Sequence, residues 1–117
     1  MRLELKDEPR CFDGGGVNLR DYGRIVFENN DMISLVSQNG KSCDITAKDW
    51  GFYLAPSLNV RLRVEGFKVA LVVNQEGKLF LNAVEVDKID SFQNYLTVSQ
   101  KSRILCWLDE WNVEELR

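Results

Sequence analysis

The 117-residue sequence contains no histidine. That absence excludes His-based catalytic triads, the usual general base near neutral pH and most zinc sites. Cysteine is sparse and odd in number: Cys11, Cys43 and Cys106 are far apart and form no C-x-x-C pair. Such a set reads as reduced thiols of an intracellular protein, not as a secreted disulfide framework. No stretch approaches the roughly 18 apolar residues of a membrane helix. The opening residues, Met1-Arg2-Leu3-Glu4-Leu5-Lys6-Asp7-Glu8, are too acidic for a signal peptide. The expectation is a cytoplasmic protein with no membrane partner. Neither charge sign is in large excess: 15 Lys and Arg against 18 Asp and Glu leave a net charge of −3. Bulk phosphate binding is disfavoured, although a local basic patch is still allowed.

Hydrophobic residues at 44% and charged residues at 28% place the chain among ordinary globular domains. Its size suits one domain, residues 1–117, burying about two thirds of the surface of the unfolded chain. A single core then needs no disulfide or metal staple.

Turn signals divide the chain into short elements. Leu3–Leu5 reads as a strand, followed by a charged turn through Pro9. Gly14-Gly15-Gly16 marks a loop, and Tyr22–Glu28 is rich enough in β-branched and aromatic residues for a strand. Met32–Gln38 and Ser42–Ala47 flank Asn39-Gly40, the strongest hairpin signal present. A second hairpin joins Val69–Asn74 to Lys78–Val86 around Gln75-Glu76-Gly77. Val69–Val73 is apolar throughout, as a central strand covered on both faces would be. Asp87 or Asp90 can cap a helix carrying Ile89, Phe92 and Leu96 on one face, and Asp109 can cap a last short helix. Between them Arg103–Leu108 forms a strand, with Ile104 and Cys106 on one face and Leu105 and Trp107 on the other.

Residues 56–65 fit two patterns. Leu58, Val60, Leu62 and Val64 alternate with polar residues like a strand, whereas Pro56, the four-residue Leu58–Leu62 spacing and Gly66 fit a short helix. The helix is preferred. The fold expected is an α+β domain of five to seven mostly antiparallel strands with two or three short helices. Its core should include Val26, Leu35, Ile45, Val69, Leu71, Val73, Leu81, Val84, Phe92, Leu96, Ile104 and Trp107.

No catalytic constellation is evident. Gly40-Lys41-Ser42 lacks the glycine a phosphate loop requires five residues earlier, where Leu35 stands. Adjacent carboxylates such as Asp7-Glu8, Asp109-Glu110 and Glu114-Glu115 do not face one another. Cys43 has no His to activate it, and both Cys43 and Cys106 read as ordinary buried strand residues. No metal ligand set and no cofactor motif is found.

Lys48-Asp49-Trp50-Gly51-Phe52-Tyr53 partly matches the aromatic signature of RNA-recognition and cold-shock folds. Asp49 replaces its glycine, and Ala55 stands where an aromatic belongs. Nucleic acid is therefore disfavoured, and core sealing is preferred for at least one of Trp50 and Phe52. A ligand site, if any, is expected at Trp50, Tyr53, Ser57, Asn59, Arg61 and Arg63. This stretch supplies aromatic faces, hydroxyl and amide groups, and two guanidinium groups for a phosphate or carboxylate. The competing reading, which is preferred, leaves Arg61, Arg63 and Lys68 on a solvated face or pairs them with Glu85 and Asp87.

The run Lys48–Tyr53, followed by Ala55-Pro56-Ser57, Arg61-Leu62, Gly66-Phe67-Lys68 and Cys106-Trp107-Leu108, resembles small uncharacterised bacterial proteins encoded among genes for surface-polysaccharide and nucleotide-sugar synthesis. The likeness covers about the last two thirds of the chain. It implies a bacterial, cytoplasmic setting beside sugar-modifying enzymes, and no catalytic residues. The function expected is that of a non-enzymatic accessory or interaction protein of such a pathway. Its expected partners are a second copy of the chain and a sugar-pathway enzyme. The alternative is a small enzyme acting on a sugar or nucleotide-sugar with Asp49 or Tyr53 as acid or base.

Overall fold

The computed structural model describes residues 1–116. Eight antiparallel strands form three small sheets, interrupted and followed by short helices. The α+β class and the antiparallel pairing agree with the sequence. A ribbon of β1 (Arg2–Asp13) and β2 (Asn18–Val26) comes first. The charged segment through Pro9 does not end β1. Its register against β2 shifts between Leu5 and Arg10, so Lys6–Pro9 bulge opposite Tyr22. Pro9 has no N–H to offer a ladder, and the Asp21 carboxylate takes over by accepting from Lys6, Arg10 and the Gly23 N–H. Gly23, at φ +117°, lets the strands approach so closely that a Cβ there would stand 2.2 Å from the Glu4 carbonyl oxygen.

The second sheet has the order β3 (Met32–Val36), β4 (Ser42–Lys48), β5 (Gly51–Leu54), and the third β7 (Leu79–Glu85), β6 (Phe67–Val73), β8 (Arg103–Trp107). Both predicted hairpins form, and with one geometry. The Ser37 N–H donates to Lys41 O and the Asn74 N–H to Lys78 O, closing three-residue loops in which Gly40 and Gly77 take left-handed φ. A three-residue loop ending in a left-handed glycine preserves the strand twist.

Between the hairpins, residues 56–65 form a turn and one helical turn, α1 (Arg61–Val64), as preferred from sequence. Gly66, at φ +95°, closes it by donating to Arg63 O, so the chain can enter β6 directly. After β7, a 3-10 turn (Val86–Lys88) leads into α2 (Ile89–Asn94), which widens into a π turn over Tyr95–Gln100. Neither Asp87 nor Asp90 caps α2. Its N-cap is Lys88, with no side-chain bond, because the 3-10 turn already satisfies the entry. The last helix, α3 (Val113–Leu116), follows a 3-10 turn at Leu108–Glu110.

Strand β6 is central, as its apolar run implied. One face, with Ala70 and Val72, packs on Leu96 and Phe92 of the helical layer. The other, with Phe67 and Val69, packs on Cys43, Leu54 and Leu62. Ile104 and Trp107, assigned to opposite faces of β8, both join the helix-side cluster. The register against β6 slips between Ile104 and Cys106, and Leu105 is the extra residue that turns Trp107 to that face. Cys106 is only partly buried. Of the expected core, Leu35 and Leu81 are instead exposed, at 49% and 67%, and so are Trp50 and Phe52.

Candidate functional site

The six residues expected to form a ligand site are distributed over three structures. Trp50, in the β4–β5 turn, and Tyr53, on β5, stack with ring centroids 6.0 Å apart and planes 20° apart, both largely exposed. Ser57 is used locally: its Oγ accepts from the Arg61 N–H at 3.0 Å, and its carbonyl accepts from Leu62, which opens α1. Asn59 is exposed on that turn. The two guanidinium groups diverge. Arg61 reaches Asp44 and Glu65, both at 3.4 Å, whereas Arg63 turns inward to Asp109.

Asp109 was expected to cap a helix, and is instead the most deeply buried charge of the described residues. Its side chain has no exposure; Oδ2 accepts from Lys68 Nζ at 2.9 Å and Arg63 Nε at 3.1 Å, and Oδ1 accepts from the Val69 N–H. Arg63 Nη2 also donates to the Asp109 carbonyl, and Lys68 lies over the Trp107 ring. Burial pushes the Asp109 carboxyl upward, but donation from Lys68, Val69 and Arg63 outweighs it and holds the group below the usual carboxylate range. The same burial pushes Lys68 down, and its bonds to Glu110 and Asp109 bring it above the ordinary ammonium value. This cluster pins the segment after β8 onto β6. Arg63 and Lys68 are thereby committed to structure.

The pairing with Glu85 and Asp87 does not form either. Glu85 accepts from Ser37 and Asn39, and Asp87 pairs with Lys41 at 2.8 Å. Those contacts clamp the β3–β4 hairpin tip to the end of β7. The two sheets are thus joined at one end, and away from the clamp they separate.

The gap between them is lined mainly by apolar side chains. Leu35 and Val36 from β3, Ile45 from β4, Leu54 from β5 and Leu81 and Ala83 from β7 line a cavity of about 480 Å³ above Phe67 and Val69. A second depression, sharing Ile45, Leu54 and Leu81, continues it along Phe52–Leu58 and takes in Tyr53 and Ser57. Small-molecule sites combine apolar walls with a few polar groups that fix orientation. The walls of the 480 Å³ cavity present one hydroxyl, Ser37, and the thiol of Cys43, and its continuation adds the hydroxyls of Tyr53 and Ser57. That thiol is pushed up by burial first and by the charges of Asp44 and Glu65 second, so it is a poor nucleophile. Beside the mouth runs the free edge of β7, where Leu79, Phe80 and Leu81 are exposed at 59%, 49% and 67%. Sequence reasoning put Leu35 and Leu81 in a closed core and so missed the mouth. The available signal was three consecutive apolar residues in β7, which are apolar on both faces.

Among the described residues no group of His, Cys, Asp and Glu side chains could hold a metal ion, and no helix is long and apolar enough to cross a membrane. Compared with known proteins, the chain matches no family model, no curated protein and no solved structure.

Proposed function

We propose that the chain is a non-enzymatic interaction protein, and that its working surface is the apolar mouth between the two sheets, where it holds a β-strand of another polypeptide. The observation that supports this reading is the exposure of Leu35, Leu81 and the β7 edge beside a cavity almost without polar groups. Strand addition suits such a place, because backbone hydrogen bonds to the edge supply affinity and alternate side chains enter the apolar space. The sequence resemblance extends the proposal to an accessory role in a bacterial surface-polysaccharide or sugar-biosynthesis pathway.

Two experiments test it. A photo-crosslinking amino acid at Leu35 is expected to join the chain to another polypeptide, and Leu81→Arg is expected to abolish the product. The second is a panel of nucleotide-sugars, expected to show no turnover. Turnover lost in Asp49→Asn with the fold intact would overturn the proposal in favour of an enzyme.

A further inference from the structure

We infer that the strand held at the mouth is β7 of a second copy of this chain, paired antiparallel across a two-fold axis so that the two β7-β6-β8 sheets become one six-stranded sheet. This rests on the reading of the mouth as an interface and names its occupant.

Three observations carry it. The first is area. The chain exposes 8516 Å², whereas a folded monomer of 13.5 kDa exposes about 6,500 Å² on mass scaling. Its radius of gyration is likewise 16.0 Å, against about 13.4 Å for a compact domain of this length. Much of the surplus of about 2,000 Å² per chain lies on the β1-β2 ribbon, whose strands pack almost only on each other; the rest, at the mouth and along β7, is open to a partner.

The second is the character of the sheet edges. Proteins protect free edges with charges, proline, bulges or shortness. Strand β1 has the Lys6–Pro9 bulge, β2 alternates Arg20, Asp21 and Arg24, and β8 has Arg103 and its own bulge. Strands β3 and β5 are short, at five and four residues. Only β7 among the described strands runs six residues, Leu79 to Val84, with no charge, bulge or proline.

The third is self-complementarity. An isologous contact requires one patch to match itself. With the two-fold at Phe80, Leu79 of each copy faces Leu81 of the other on the mouth side. The Phe80 rings meet on the opposite side, where a depression bordered by Tyr95 and Leu96 lies open. No charge opposes its like along this register, and both faces of the added strand find apolar space.

The experiment is sedimentation equilibrium of the full chain over a wide concentration range, on wild type, Leu81→Arg, Leu79→Arg and Leu105→Arg. All three leucines are at least 42% exposed, so the folded protomer should tolerate each change, with circular dichroism as the check. Wild type and the β8-edge variant Leu105→Arg are expected at twice 13.5 kDa. The two β7 variants are expected as folded monomers, with dimer dissociation constants raised by about 30-fold or more, as for an interface hot spot. A dimer unaffected by either β7 variant overturns the inference. A wild-type monomer at every concentration also overturns it. In that case a Leu35 crosslink to a different polypeptide would leave the reading of the mouth standing, and the absence of any crosslink would remove both.

Discussion

Asp109 shows why residue type alone misassigns a role. In sequence it precedes a short amphipathic segment, which is where a capping Asp belongs; in the fold it is the counter-charge for Lys68 and Arg63. Asp109→Ala should destabilise the protein by about 3 kcal/mol in urea unfolding, since it leaves a half-buried ammonium short of its partner and a buried N–H unsatisfied. The pH dependence follows from the two shifts. Asp109 lies below its ordinary 3.8 when folded, so its contribution is complete above that value and is lost as pH falls through the lower folded pKa. Lys68 lies above its ordinary 10.5 when folded, so its contribution is complete below 10.5 and is lost as pH rises through the higher folded pKa. Unfolding at a series of pH values should show a plateau between these limits, and Asp109→Ala should flatten the acid side. The thiols offer a second check at this scale. Cys11 is exposed and Cys43 is buried with a raised pKa, so a thiol reagent at neutral pH should modify Cys11 quickly and Cys43 only on unfolding.

At the scale of elements, local chemistry was most readable where a turn dictates it. Asn39-Gly40, Gln75-Glu76-Gly77 and Gly66 each marked a chain reversal or helix end, because left-handed φ is costly for any residue with a Cβ. Gly66→Ala should therefore cost about 1–2 kcal/mol in denaturant unfolding. It would also bring a Cβ within 3.0 Å of the Lys41 side chain that reaches Asp87. What could not be read were the irregularities. The β1 bulge at Lys6–Pro9 and the β8 slip at Leu105 each break the two-residue period, and with it the inference of facing from spacing. Alternation also cannot tell a leucine turned into a closed core from one turned into an open mouth, and so Leu35 and Leu81 were misplaced. The expected ligand residues were brought together only in part. Trp50 and Tyr53 stack on one another, whereas Arg61 and Arg63, two apart in a helical turn, point to different carboxylates.

At the scale of the whole molecule, the three layers are unequally closed. The helical layer covers one face of the β7-β6-β8 sheet, and the β3-β4-β5 sheet covers only part of the other. The polar clamp of Ser37, Asn39 and Lys41 on Glu85 and Asp87 closes one end and leaves apolar residues to face solvent at the other. The isolated chain leaves Leu35, Val36, Leu79, Phe80 and Leu81 each at least 49% exposed around the mouth and the β7 edge. A partner strand on β7 resolves that imbalance. Hydrogen exchange of the β7 amides, followed at high and low protein concentration, tests this most directly. With the two-fold at Phe80, the Leu79 and Leu81 amides, which point away from β6, are expected to be protected at high concentration and to lose protection on dilution or in Leu81→Arg. Fast exchange of those outward amides in the wild type at every concentration would contradict it.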